Sequence, residues 1–144
     1  MKKLETILNK QVANLSVLFT KLHNHHWYVK GPNFFSLHEK FEGLYDEINE
    51  LYDEFAERLL TIGGNPVSTQ KGNLELTSLK EVAGELDAKA MVQMTHDDLL
   101  LIVKEMNEGI GLAGELGDEA TVDLFVSTVA SLEKHAWMFR FYNL

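Results

Sequence analysis

The chain has 144 residues, the size of one domain that can bury a hydrophobic core of its own. It contains no cysteine, so disulfides, thiolate metal sites and thiol catalysis are excluded. With 22 acidic against 13 basic side chains, its formal net charge of −9 disfavours nucleic acid as a partner and favours cations.

No segment of the sequence is typical of a signal peptide or a membrane span. The first residues, Met1 to Leu4, lead into a mixed polar and apolar pattern, and no apolar run reaches the roughly 18 residues that a spanning helix needs. We therefore expect one cytoplasmic domain, residues 1–144, with no membrane partner.

The first predicted helix covers residues 4–30 and carries one apolar stripe at helical spacing. Gly31 and Pro32 are predicted to end it. His26 lies within the stripe, beside Trp27. A lone histidine in such a place is more often a hydrogen-bonded core residue than a metal ligand, so His26 by itself does not define a site.

Four other histidines are predicted to have no role as metal ligands. His23 and His25 flank the apolar stripe. One interpretation is that they support the metal ligands from behind, but we favour the expectation that they are partly exposed polar residues. His96 and His135 have no carboxylates at ligand spacing, and we interpret both as structural.

The second predicted helix covers residues 36–62. Its start is predicted from a capping box, in which the Ser36 hydroxyl and the Glu39 carboxylate bind free backbone amides. Its end is predicted at the Gly63-Gly64-Asn65-Pro66 turn.

Four potential metal ligands share one face of this second helix. At about 100° per residue, Glu42, Asp53 and Glu57 all fall within roughly 100° of His38. Their heights differ, because His38 and Asp53 are separated by roughly 22 Å of helix rise, whereas the ligands of one ion lie within a few ångströms of each other. One helix alone therefore cannot complete the site.

A second copy of the chain would resolve this difference in height. If it crosses antiparallel about a two-fold axis near residues 47–48, the Asp53/Glu57 pair of one chain lies over the His38/Glu42 pair of the other. Two equivalent sites per dimer would result. Histidine and carboxylate ligands together suit iron, manganese or zinc.

The alternative interpretation is an acidic helix face that is simply solvated. Glu39, Asp46 and Glu50 lie on the same flank, so carboxylates would fall at matching heights by chance. His38 within the flank and His26 on the preceding helix favour the metal site.

The remaining pattern predicts two more long helices after a long connection, residues 67–84, in which residues 77–82 form a short helical turn. The third helix covers residues 87–116. Its helical structure is expected to break down near four glycines, which are unfavourable in a helix interior: Gly109, Gly111, Gly114 and Gly117. The fourth helix covers residues 118–141.

Four long helices with one long link indicate an all-α bundle with a crossover between the second and third helices, the ferritin-like connectivity. A di-iron centre inside one bundle requires Glu-x-x-His pairs. No glutamate here has a histidine three residues later, so that centre is disfavoured.

The segment HNHHWYVKGPNFFSLHE at residues 23–39, followed by DEFAER at residues 53–58, closely resembles the signature of the Dps family of mini-ferritins. The resemblance follows the helix order along nearly the whole chain and is most specific over residues 15–66. It implies a four-helix bundle with a short helix in the long link, assembled as a hollow homododecamer.

The resemblance also implies iron bound between two-fold-related subunits. By position, His26, His38 and Glu42 come from one chain, and Asp53 and Glu57 come from its partner. Many members of the family have aspartate where this chain has Glu42, and we expect binding to survive with altered geometry.

The family oxidises ferrous iron, usually with hydrogen peroxide in preference to oxygen, and stores the ferric mineral, which protects against oxidative damage. Zinc and manganese are the expected competitors for the site. Trp27 is most simply a packing residue, although an indole near an oxidising metal can supply an electron.

Three acidic residues near the start of the fourth helix, Asp118, Glu119 and Asp123, resemble the family's carboxylate-lined ion pores. They also fit the charge preference of a helix N-terminus. DNA-binding members of the family commonly carry a lysine-rich tail, and we expect none here, since only Lys2 and Lys3 precede the first predicted helix. DNA is therefore an unlikely partner unless cations bridge it, and two alternatives stay open: a DNA-binding nucleoid protein and a metal-free structural bundle.

Overall fold

The computed structural model describes all 144 residues. It contains five helices and no strand: α1 (Lys2–Tyr28), α2 (Phe34–Thr61), α3 (Gln70–Leu76), α4 (Ala88–Glu115) and α5 (Glu119–Tyr142). α1 packs against α2 and α4, α4 packs against α5, and α3 lies on α1 within the crossover. The predicted all-α four-helix bundle with a short helix in its long link is confirmed. None of the helices combines the length and apolar character needed to cross a membrane.

One hydrophobic core of 27 buried side chains runs through the bundle. The predicted apolar stripes of α1 and α2 supply much of it, with Leu15, Phe41 and Phe55 fully buried. Burying a side chain of this size contributes about 1.5–3 kcal/mol. The core therefore fixes how α1 and α2 face each other.

The predicted capping box at the start of α2 is wrong. The helix begins earlier, at Phe34, with Asn33 as its N-cap and no side-chain cap bond. The Ser36 hydroxyl instead donates to the Asn33 carbonyl at 3.1 Å. Gly31 makes the turn that precedes this start. Its φ of 114° is a conformation that glycine adopts readily and other residues rarely do, and its carbonyl accepts a hydrogen bond from the Phe34 amide.

The short helix of the crossover also lies elsewhere than predicted. It forms at α3, where the Thr69 hydroxyl accepts from the Gly72 amide at 3.0 Å, and not at residues 77–82. Buried Asn14 of α1 explains the difference. Its Oδ1 accepts from the Thr77 hydroxyl and the Ser78 amide, both at 2.8 Å, and so competes with helical hydrogen bonding.

α4 stays helical through its glycines, contrary to the expectation that its end dissolves. At Gly109 a Cβ atom would overlap the Phe125 ring of α5, so this glycine allows the two helices to pack closely. Gly117, with φ of 71°, ends the helix in the left-handed conformation typical of a glycine after a C-cap. Packing outweighs the low helix propensity here.

Candidate metal centre

His26 at the end of α1 and His38 near the start of α2 hold each other in place. The Nδ1–H of His26 donates to the His38 carbonyl, and the Nδ1–H of His38 donates to the His26 carbonyl, each at 2.7 Å. Their rings stack with centroids 3.6 Å apart. Because a carbonyl only accepts, each neutral ring carries its proton on Nδ1 and has a free lone pair on Nε2.

Glu42 completes a three-residue cluster with these two rings. One turn beyond His38 on α2, its Oε1 lies 3.7 Å from Nε2 of His26. One donor atom from each of His26, His38 and Glu42 lies within 4.8 Å of the other two. His26 is buried, His38 is half-buried and Glu42 is exposed, so the cluster opens onto the protein surface. Two imidazoles and a carboxylate in this arrangement can hold a divalent cation.

Asp53 and Glu57 form a second pair further along α2, and both are exposed. The hydrogen bond and the repulsion from Asp53 raise the pKa of Glu57, with smaller contributions from burial and Glu54. This pair does not join the three-residue cluster within one chain, as the helix rise of roughly 22 Å requires.

Tyr45 and His23 form an aromatic wall beside the cluster. The Tyr45 ring lies edge-on to His26 with centroids 5.3 Å apart, and the His23 ring stacks on Tyr45 at 3.9 Å. His23 in turn contacts Trp27 at 5.2 Å and donates from Nδ1 to the Phe19 carbonyl at 2.8 Å. Tyr45 is not among the predicted site residues, because at helical spacing it falls with the apolar residues of α2.

The surroundings of Tyr45 are acidic. Burial, followed by the carboxylates of Glu42 and Asp46, raises the pKa of its phenol. The hydroxyl therefore stays protonated and faces the same carboxylate that belongs to the cluster. Trp27 is 66% exposed within one chain, and its ring contacts that of His23.

The other histidines divide into one buried and two paired residues. His25 is only 1% exposed and packs on Phe41, so the expectation of partial exposure is wrong. Burial, with the charge of Lys21, lowers the pKa of His25 to about 4. His96 pairs with its neighbour Asp97. His135 is held on the far side of α2.

Lys40, Glu47 and Ser131 surround His135. Its Nε2–H donates to Glu47 at 3.0 Å, and its Nδ1 accepts from the Lys40 ammonium at 3.0 Å. Ser131 donates to the other oxygen of Glu47 at 2.6 Å. Burial alone would raise the pKa of Glu47, but these hydrogen bonds and the nearby positive charges hold it below its usual range.

Asp118, one of the three acidic residues predicted to line an ion pore, makes its hydrogen bonds and its ion pair within the chain. It caps α5 by accepting from the Thr121 amide and hydroxyl, and it pairs with Arg58 at 2.8 Å. Burial would raise the pKa of Asp118, yet the contacts with Thr121 and Arg58 lower it. Glu119 and Asp123 are exposed.

The fold and the cluster together define a ferritin-like protein, and a family model described as a ferritin-like domain matches residues 5–143. DNA protection during starvation protein 2 of Bacillus anthracis is 51% identical over 139 residues, which cover 96% of this chain and 95% of that protein.

Two solved structures agree with this comparison. The crystal structure of Dps from Staphylococcus aureus has a TM-score of 0.98 and 47% identity, covering 100% of this chain and 97% of that one. Dps from Listeria innocua soaked with zinc has a TM-score of 0.93 and 44% identity, covering 96% and 94%. The chain belongs to the Dps family of ferritin-like proteins, as the resemblance predicted.

Proposed function

We propose that this protein is a cytoplasmic ferroxidase and iron store. Two copies related by a two-fold axis form each oxidation site, and a homododecameric shell holds the ferric product. The observation that carries the proposal is the division of one ligand set into two half-sites along one face of α2, with His26 of α1 beside the first of them. His26, His38 and Glu42 form one half, and Asp53 and Glu57 of the partner chain form the other.

The donor set supports oxidation of iron rather than simple retention of a divalent ion. Two neutral imidazoles and three carboxylates would surround each site, and oxygen donors with negative charge stabilise ferric iron more than ferrous iron. Each such site therefore favours the oxidised product. Manganese and zinc suit the same donors and would compete with iron.

The two half-sites differ in how ready they are to bind a cation. The neighbouring Asp53 carboxyl raises the pKa of Glu57, and a bound cation would favour the ionised form of Glu57. The imidazoles of His26 and His38 already present their Nε2 lone pairs, because both Nδ1–H groups are engaged by carbonyls. The histidine half therefore needs no rearrangement, whereas Glu57 binds a cation only in its ionised form.

Hydrogen peroxide is the proposed oxidant. Two ferrous ions and one peroxide, with two protons, give two ferric ions and two waters, so both reactants that generate hydroxyl radicals are removed together. The preference for peroxide over oxygen rests on the chain's membership of the Dps family. Protection of DNA would then be indirect, through removal of iron and peroxide.

Stopped-flow absorbance after mixing with ferrous iron, together with light scattering, tests the proposal. We expect a hollow homododecamer that oxidises iron faster with peroxide than with air. A monomer or isolated dimer at micromolar concentration would contradict the storage role. Oxidation no faster than in protein-free buffer, with no uptake of cobalt, would instead indicate a metal-free structural bundle.

A further inference from the structure

We propose that His135 and Met138 of α5 form a second metal site, which binds a soft monovalent cation, cuprous copper, in competition with the Lys40 ammonium. The site lies between α2 and α5. It is on the opposite flank of α2 from the iron ligands, because Glu47, which holds His135, falls about 180° around the helix from His38. The inference goes beyond the proposed ferroxidase function and does not depend on it.

The His135 ring is held in the way that is typical of a metal-binding imidazole. Its Nε2–H donates to one oxygen of Glu47 at 3.0 Å, and Ser131 donates to the other oxygen at 2.6 Å. Metal-binding histidines usually donate their second ring N–H to a carboxylate, which fixes the ring and makes the free nitrogen a better ligand. The lone pair on Nδ1 of His135 is therefore free to bind a cation.

Two potential metal ligands lie against the Lys40 ammonium. Nδ1 of His135 is 3.0 Å from Nζ, and Sδ of Met138, one helical turn further along α5, is 3.8 Å from it. No carboxylate forms a direct ion pair with this ammonium. The cation of Lys40 thus occupies a position where the neighbouring acceptors are an imidazole nitrogen and a thioether sulfur.

This pair of ligands selects a soft cation. Thioether sulfur favours cuprous copper, and imidazole binds copper as well. A monovalent ion also leaves the charge beside Glu47 unchanged, because it replaces the single charge of the ammonium. The carboxylate-rich ligand set on the other flank of α2 differs in suiting ferrous iron. The two sites should therefore take different metals.

The site can open without any change in the helices. Lys40, His135 and Met138 are all half-buried. The flexible four-carbon stem of lysine allows the ammonium to turn into solvent, and the rotatable bonds of methionine allow the sulfur to approach an ion. His135 needs no movement, because Glu47 already holds its ring.

Anaerobic titration with cuprous ion against bicinchoninate, a coloured chelator of that ion, tests the site on the assembled protein. The parent protein carries His26→Ala and His38→Ala, so that this histidine pair does not bind the copper. Met138→Leu keeps the volume of the side chain and removes the sulfur. Met94→Leu is the matched control, because Met94 is also half-buried but lies on α4.

Met138→Leu should lose one bound cuprous ion per subunit, whereas Met94→Leu should retain it. Glu47→Gln should weaken binding by about 10–100-fold, the usual effect of losing the carboxylate behind a metal-binding histidine. Lys40→Ala should bind cuprous ion more tightly than the parent, since the competing ammonium is gone. X-ray absorption at the copper edge should show a sulfur ligand in the parent and none in Met138→Leu.

Equal copper binding by the parent and Met138→Leu, or an equal loss in Met94→Leu, would overturn the site. Weaker binding by Lys40→Ala would contradict the competition between the ammonium and the metal. A parent protein that assembles but binds no cuprous ion would show that Lys40, Glu47 and His135 only bridge α2 and α5. None of these results bears on iron oxidation, which the stopped-flow measurement tests separately.

Discussion

The two cluster histidines show how a side chain's position can depend on another residue's backbone. The Nδ1–H of each ring is bound by the other's carbonyl, so the orientation of His26 is set by the start of α2 and that of His38 by the end of α1. Loss of a hydrogen bond to the other ring nitrogen of a metal-binding histidine typically lowers metal affinity by about 10–100-fold. Movement at the α1–α2 turn should therefore weaken the site without altering any ligand.

Glu42 provides a direct test of the ligand assignment. Glu42→Gln removes the negative charge, so we expect cobalt affinity to fall by roughly 10–100-fold, the equivalent of a charged interaction of about 1.5–3 kcal/mol. Glu42→Asp keeps the charge and should bind within about tenfold of the wild-type protein. Anaerobic cobalt titration followed by visible absorbance measures both. Equal affinities for the glutamine variant and the wild-type protein would remove Glu42 from the site.

Asp118 is expected to stabilise the fold in a pH-dependent way. Its pKa is lower in the folded state, so its contribution is complete above the unfolded value of about 3.9 and is lost as pH falls through the folded value. Asp118→Ala should lower the free energy of unfolding at neutral pH by about 1–2 kcal/mol, the range for a lost N-cap. In acid the difference from the wild-type protein should shrink.

Urea unfolding at pH 7 and in acid measures this difference. Asp123→Ala is the control, because Asp123 is an exposed residue of the same helix and its loss should change stability by no more than about 0.5 kcal/mol. A difference for Asp118→Ala that grows on acidification would show that its charge does not stabilise the fold.

At the scale of elements, spacing alone predicts the four long helices, and tertiary contacts decide what spacing misses. The apolar stripes of α1 and α2 define those helices because both faces are buried in one core. In the crossover a tertiary contact decides the structure, because the hydrogen bonds of Asn14 of α1 to Thr77 and Ser78 keep these two residues out of a helix. Such a contact between distant residues leaves no periodic pattern in the sequence.

Gly109 and Gly111 of α4 form a matched pair for testing this role of packing. Gly109→Ala should destabilise the protein, because overlap with the Phe125 ring costs about 1–3 kcal/mol and outweighs a propensity gain of about 1 kcal/mol. Gly111 has open space around a Cβ, so Gly111→Ala should stabilise it by about 0.5–1 kcal/mol. Thermal unfolding of both variants checks the signs, and stabilisation by Gly109→Ala would contradict the observed α4–α5 packing.

At the scale of the whole molecule, the acidic surface bears on DNA. With a net charge of −9 per subunit, few basic side chains are available to neutralise the phosphates of a DNA duplex and release its counterions. We expect no retardation of DNA in a gel at neutral pH without magnesium, and magnesium is the control because it can bridge two acidic surfaces. A tight, salt-sensitive complex in magnesium-free buffer would restore the nucleoid-protein alternative.

The candidate site was predictable in part for a physical reason. Helical spacing gives the angular positions of His38, Glu42, Asp53 and Glu57 on α2, and helix rise separates them into two pairs. The reciprocal hydrogen bonds between His26 and His38 depend on the register of α1 against α2. The spacing of residues within one helix does not predict that register. Tyr45 was not predicted as a neighbour of the site, because an aromatic residue at an apolar position is normally interpreted as a core residue.

The central claim is that each site is shared by two chains, and mixing of complementary variants tests it most directly. One chain carries His26→Ala and His38→Ala, and the other carries Asp53→Ala and Glu57→Ala. Each variant alone lacks half of every site, so we expect near-background oxidation of ferrous iron. In a mixed dimer one site collects all four changes and the other keeps every ligand. Random co-refolding should thus restore about a quarter of the wild-type activity. If mixtures shown by mass spectrometry to contain mixed dimers stay as inactive as their parents, the site is not shared between chains.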